Sequence, residues 1–226
     1  MGQKPLFITF EGGDGSGKST QIRLLQEALA ASGVSVITTR EPGGTPQAER
    51  IRNLLLQRDS GRFDPMTEAL LLFAARREHL VEKIWPAMKQ GQWVLSDRFA
   101  DSTRAFQGFG MGLDQTAIER MYNIVMGDFC PDLTFIFDID PVVGLERSAK
   151  RSAATVNKTE STEDRYERMG LGFQQKLREG YLAIASKEPG RCVVIDAAAS
   201  IEDIHRKVIT VVEQRFGHVV KEAKYG

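Results

Sequence analysis

Residues 12–19 read Gly12-Gly13-Asp14-Gly15-Ser16-Gly17-Lys18-Ser19 and satisfy G-x-x-x-x-G-K-[ST] at every fixed position. Each residue type there has a chemical reason. Glycines let successive backbone N–H groups turn inward around an anion. A helix that starts where such a loop ends adds the positive end of its dipole. Lys18 brings a point charge suited to β- and γ-phosphate oxygens, and the Ser19 hydroxyl suits Mg²⁺. Gly12, Gly13, Asp14, Gly15, Ser16, Gly17, Lys18 and Ser19 are thus expected to cradle a nucleoside triphosphate. The motif alone does not separate a kinase from a switch or a motor.

A second cluster runs Asp97-Arg98-Phe99-Ala100-Asp101-Ser102-Thr103-Arg104-Ala105-Phe106-Gln107-Gly108. Asp97 could hold Mg²⁺ through water or orient Arg98, whose planar fork fits a phosphate bidentately. Taken alone, an Asp-Arg pair after a strand is as readily an ordinary ion pair. A third cluster, Arg147, Lys150 and Arg151, is followed by small polar residues over 152–162. Phosphoryl transfer spreads negative charge over the γ-oxygens, and lid arginines could meet it there. A basic helix end that complements the dipole is the plainer alternative.

These clusters need a frame. Short apolar runs at 7–10, 34–39, 93–96, 133–137 and 192–195 read as strands. Helical spacing of apolar residues marks 18–31, 47–56, 65–89, 114–126, 141–151, 164–186 and 201–216. Residues 101–112, rich in glycine, read as loop, and the tail from 218 to 226 as poorly anchored. Buried-type strands alternating with helices imply crossovers, hence an α/β fold with a five-stranded parallel sheet. Ligands of such sheets gather at the carboxyl ends of the strands, where the first two clusters fall.

The chain's 226 residues fit one domain, 1–226, with a lid at about 147–163. Thirty basic and thirty acidic residues cancel, which argues against a nucleic-acid-coating role. No apolar run spans a membrane and no secretory signal is recognisable, so no membrane partner is expected. Cys130 and Cys192 lie far apart, which fits a reduced, cytoplasmic setting.

The phosphate loop, the run Thr39-Arg40-Glu41-Pro42-Gly43-Gly44-Thr45, the run Phe73-Ala74-Ala75-Arg76 and the 97–108 segment together resemble thymidylate kinase (dTMP kinase). The resemblance spans about 7–216. It is closest to the bacterial branch, whose phosphate loop lacks an arginine and whose lid carries the basic residues. It implies a P-loop NTPase fold and transfer of the ATP γ-phosphate to dTMP, giving dTDP and ADP for dTTP synthesis. Mg²⁺ dependence, cytoplasmic location and a homodimer are implied as well.

Residue by residue, the resemblance implies that Asp14 lies near the 3′-hydroxyl and the transferred group. Glu41 belongs to the monophosphate pocket, and Arg98 holds the acceptor phosphate. Ser102 and Thr103 reach the thymine edge and its surroundings. Phe73 stacks on thymine and Arg76 donates to its O4. The family often spaces that pair four apart, which leaves Leu72 with Arg76, or Phe73 with Arg77, as alternatives. Phe106 stands where the family usually has a tyrosine beside the sugar; it keeps a steric wall and lacks the hydroxyl. Arg151 first, and Arg147 second, would act as lid arginines. Glu167 would join Ser19 and Asp97 near Mg²⁺ or reach the sugar, and residues 196–200 would lie near adenine.

Overall fold

The computed structural model describes residues 4–56, 63–154, 166 and 168–217, with only the backbone for 151–154. Five strands form one sheet: β1 (Phe7–Gly12), β2 (Val36–Arg40), β3 (Trp93–Asp97), β4 (Leu133–Asp138) and β5 (Cys192–Asp196). All pairs are parallel and the order is β2-β3-β1-β4-β5. The expected five-stranded parallel sheet is present. β1 is buried along its whole length, as the central strand of a sheet covered on both faces must be.

Helices α1 (Lys18–Ala31) and α9 (Ile201–Phe216) cover one face. Leu25 and Leu29 of α1 pack there with Val208 and Val212 of α9 over Phe10, Phe135 and Phe137. The other face carries α3 (Pro65–His79), α4 (Trp85–Lys89), α6 (Gln115–Met126) and α8 (Leu171–Lys187). Phe7, Phe73, Phe99 and Ile118 form its larger core cluster. Two further helices, α2 (Pro46–Leu56) and α7 (Pro141–Ala154), flank the carboxyl edge of the sheet.

Three local expectations need correction. The stretch 101–112 is not a loop: α5 (Ala100–Thr103) runs into a π-helical segment, Arg104–Gly110. Its glycines mark close approaches. A Cβ on Gly108 would sit 2.2 Å from Gln115 Nε2, and one on Gly110 would sit 2.5 Å from Phe173 Cε2. The long helix expected over 65–89 is broken by a π-helical turn, Leu80–Ile84. Pro86 follows it and has no N–H to donate, so the regular ladder must yield just before it. β2 starts at Val36 because Val34 N–H still closes the end of α1 on Leu29 O at 3.0 Å.

Candidate active site

The phosphate loop forms as its residue types dictate. Gly12 and Gly15 have φ of 133° and 75°. A Cβ on Gly12 would lie 2.5 Å from Phe137 O, and one on Gly15 would lie 2.2 Å from Gly144 O. Only glycine satisfies both the dihedral and the space. Ser16 Oγ donates to Gly13 O at 2.8 Å, and α1 begins at Lys18. Lys18 Nζ donates to Gly13 O at 2.8 Å and to Gly12 O at 3.1 Å, which folds the amine over the loop. Burial pushes its pKa down to about 8, helped by Arg98 and opposed by Asp97, Asp14 and Glu11.

Asp97 ends β3, where Phe10 and Arg40 are its register partners on β1 and β2. Ser19 Oγ donates to Asp97 Oδ2 at 3.0 Å. These are hard oxygen donors. No group of three or more His, Cys, Asp or Glu side chains gathers as a metal cage among the described residues. Mg²⁺ is characteristically held by one or two protein oxygens plus substrate phosphates and water, so this sparse donor set fits it.

Arg98 is the one non-glycine residue with positive φ, 67°, among the described residues. Its backbone is pinned on both sides: its N–H donates to Phe10 O at 2.9 Å, and Ser96 Oγ donates to its carbonyl at 2.8 Å. The guanidinium donates to Asp14 Oδ1 (2.6 Å), Gly12 O (2.9 Å) and Tyr181 OH (3.1 Å). It lies 5.1 Å from the Phe106 ring centroid. Beneath it, Glu11 is fully buried. Glu11 accepts from Phe99 N at 2.7 Å, Ser102 Oγ at 2.6 Å and Tyr181 OH at 3.3 Å. Burial pushes its pKa up to about 7, with Asp101 adding to the rise.

The far end is built around Arg76 of α3. Its Nε donates to Glu41 Oε2 at 2.7 Å, and Nη2 donates to Phe99 O and Thr103 Oγ1, both at 3.1 Å. Glu41 follows β2, precedes a cis peptide to Pro42, and also meets His79 Nδ1 at 3.0 Å. Thr39 Oγ1 lies 2.6 Å from the other ring nitrogen of His79. Two buried polar atoms at this end have no partner among the described residues: Arg76 Nη1, a donor, and Gln107 Oε1, an acceptor.

A cavity of about 450 Å³ joins the two ends. Asp14, Gly15, Gly17, Lys18, Ser19, Glu41, Arg76, Asp97, Arg98, Ser102, Thr103 and Phe106 all line it. Five basic side chains (Lys18, Arg40, Arg52, Arg76 and Arg98) face three acidic ones (Asp14, Glu41 and Asp97), an excess that suits an anionic ligand. Gly12, Gly13 and Ser16 shape the loop from outside the cavity. Phe73 also stands apart: it is buried in the core cluster with Phe7 and Phe99. Leu72, four residues before Arg76, takes the wall position that Phe73 was expected to fill. Ser102, expected at the thymine edge and its surroundings, lines the cavity, and its hydroxyl bonds Glu11, Tyr181 and Arg98.

Arg147 does not line the cavity; its Nη1 donates to Ala197 O, after β5, at 2.8 Å. The Arg151 side chain, Glu167, the lid residues 155–163 and the tail from 218 lie outside the described residues. Sequence reasoning missed Gln107, Tyr166, Arg52 and Leu55 as lining residues, and Glu11 and Tyr181 beneath Arg98. Glu11 left one signal, an acid ending an apolar strand. Tyr181 left none, because it lies 170 positions from its partner.

A family model described as thymidylate kinase matches residues 10–208. A thymidylate kinase of Caulobacter vibrioides is 48% identical, over 93% of this chain and 97% of its own length. One from Magnetococcus marinus is 45% identical, over 93% and 96%. The crystal structure of thymidylate kinase from Ehrlichia chaffeensis superposes with a TM-score of 0.72 at 38% identity, covering 94% of this chain and 99% of that one. The α/β P-loop fold, the match over residues 10–208 and relatives near half identity over almost their full length lead to one conclusion: this chain belongs to the thymidylate kinase family.

Proposed function

We propose that the chain transfers the ATP γ-phosphoryl group to the phosphate of dTMP, releasing ADP and dTDP for dTTP synthesis. One observation carries this reading. A single cavity runs from Lys18 and Ser19, past Arg98, to Arg76 and Gln107, whose Nη1 and Oε1 are buried and have no partner among the described residues. Thymine offers an O4 acceptor and an N3–H donor, the complements of those two atoms. Cytosine offers the reverse at both positions. Leu55, Leu72 and Phe99 supply apolar lining suited to the 5-methyl group.

In this reading, residues 12–19 and the N-terminus of α1 hold the donor phosphates, and Lys18 swings from the loop carbonyls to the β- and γ-oxygens. Arg98 holds the dTMP phosphate, and Asp14 sets its orientation. A dTMP phosphate oxygen is already ionised, so it attacks the γ-phosphorus in line with no strong general base. Ser19 and Asp97 would hold Mg²⁺, which when bound would supply positive charge against the phosphates. Phe106 and Tyr166, with ring centroids 4.7 Å apart, wall the cavity on the side where a deoxyribose is admitted by shape. Arg151 is the first lid arginine to meet the transferring group; Arg147, tied to Ala197 O, is the second. Glu167 assists near the metal or the sugar.

The chain acts as one domain with a lid at about 147–163, in the cytoplasm. It works as a homodimer, with exposed apolar side chains such as Leu70 of α3 and Ile124 of α6 on the pairing face. No described helix is long and apolar enough to cross a membrane.

The test is ADP release from ATP and Mg²⁺ with dTMP, dUMP, dCMP, dGMP or thymidine as acceptor. Strong dependence on dTMP, with equal dTDP, is expected, and Lys18→Ala should abolish it in a folded protein. ADP release that ignores the acceptor would sink the reading.

A further inference from the structure

Glu68 lies in the first turn of α3 and is completely buried, an unusual place for a carboxylate. Its position near the helix N-terminus suits a negative charge. Gln107 Nε2 donates to Glu68 Oε1 at 2.7 Å. The hydroxyl of Tyr166 donates to the same oxygen. Two donors converging on one oxygen make it an acceptor, so only the nitrogen of the Gln107 amide can face it. Turning the amide over would oppose two acceptors with no proton between them. The Gln107 carbonyl is therefore held on the other side, buried and without a partner among the described residues, in a side chain that borders the cavity.

We propose that Glu68 is a specificity-determining residue: by fixing the sense of the Gln107 amide, it makes the cavity accept a pyrimidine with a proton on N3 and refuse one without. Thymine and uracil carry that proton and cytosine does not. The inference rests on the reading that Gln107 and Arg76 face the base. Glu68 itself touches no substrate; it acts as a positioning residue through Gln107. The same amide with its two ends exchanged would read cytosine N3, so the choice lies in the group behind it.

The test compares kcat/KM for dTMP and for 5-methyl-dCMP, which keeps the methyl group and changes only the N3 and C4 edge. In Glu68→Gln, either end of residue 68 can meet either end of Gln107, so the amide can follow the base. The ratio of 5-methyl-dCMP to dTMP should rise by about tenfold or more, the size of one restored base-edge hydrogen bond. The double swap Glu68→Gln with Gln107→Glu puts an oxygen toward the cavity again and should return the ratio to its original value. A folded Glu68→Gln protein with an unchanged ratio overturns the proposal. If that variant melts too low to assay, the double swap decides. A folded double swap that discriminates like the original chain supports the proposal, and one that treats both acceptors alike overturns it. Gln107→Leu tests the underlying reading separately. If it leaves both acceptors unaffected, the base does not meet Gln107 and the proposal falls with that reading. If it impairs dTMP while Glu68→Gln changes nothing, only the role of Glu68 is lost.

Discussion

Arg98 Nη2 and Asp14 Oδ1 stand 2.6 Å apart, which ties the arginine after β3 to the acid inside the phosphate loop. Donor and acceptor halves of the cavity are thus linked through one ion pair. Each partner limits the rotamers of the other, and the strained backbone at Arg98 aims the guanidinium across the gap. Arg98→Ala should lower kcat/KM for dTMP by about 10² to 10³, as removal of a preorganised charged donor does. Arg98→Lys should recover little of that, since the planar fork is lost. A positive φ costs a side chain about 1–2 kcal/mol. Arg98→Gly should therefore melt above Arg98→Ala while both show a similar loss of activity. The reverse order of melting temperatures would remove backbone strain from this account.

Glu41 holds two buried groups, Arg76 and His79, and its own side chain is 4% exposed. Glu41→Ala would leave the Arg76 guanidinium, 2% exposed, without its carboxylate. Breaking a buried pair from one side costs about 3–5 kcal/mol. The urea midpoint should fall accordingly, and the KM for dTMP should rise in whatever protein remains folded. An unchanged midpoint would show that water reaches Arg76 and that the cavity end is wetter than its burial implies.

The buried Glu11 imposes a pH dependence with a definite sign. Burial raises its folded pKa from 4.5 to about 7. Between those values the folded chain keeps a proton that the unfolded chain has released. The contribution of Glu11 to stability is therefore full below about 4.5 and declines as pH rises through about 7. Glu11→Gln cannot lose that proton. Its stability relative to the original chain should climb from pH 5 to pH 7.5 and then level off. Unfolding free energies measured in parallel at five pH values would show this, and a constant difference would contradict it.

Gly15 and Gly144 set the distance between the phosphate loop and α7. A Cβ at Gly15 would meet the Gly144 carbonyl at 2.2 Å, while one at Gly13 would meet nothing within 4 Å. A backbone oxygen cannot swing aside as a side chain can. Gly15→Ala should lower stability by about 2 kcal/mol or more, and raise the KM for ATP by distorting the cradle. Gly13→Ala should melt close to the original chain. Equal melting of the two variants would mean that α7 yields easily.

The legible features and the hidden ones differ in kind. Gly12 to Ser19 needed no tertiary information, because the loop's chemistry lies in eight consecutive residues and the strand and helix beside them. The alternation of apolar strands with amphipathic helices likewise announced a parallel sheet, since periodicity is a property of the chain itself. The 97–108 segment was legible as a site and misread as a loop. Its glycines admit Gln115 and Phe173, neighbours that only packing supplies.

The base end shows most clearly where the sequence stops. Leu72 and Phe73 are adjacent, yet one step on a helix turns a side chain by about 100°, so Leu72 meets the cavity and Phe73 the core. Which of them faces inward depends on how α3 rolls against β3 and α6. Glu11 with Tyr181, and Glu68 with Gln107, are pairs 170 and 39 positions apart. No local pattern links them. By itself the sequence determined the phosphate cradle, the sheet and the family likeness, all written in short spacings along the chain. The tertiary structure alone decided which buried carboxylate stands behind Arg98 and which behind Gln107. Hydrogen bonds between distant residues exist only once the strands and helices have packed.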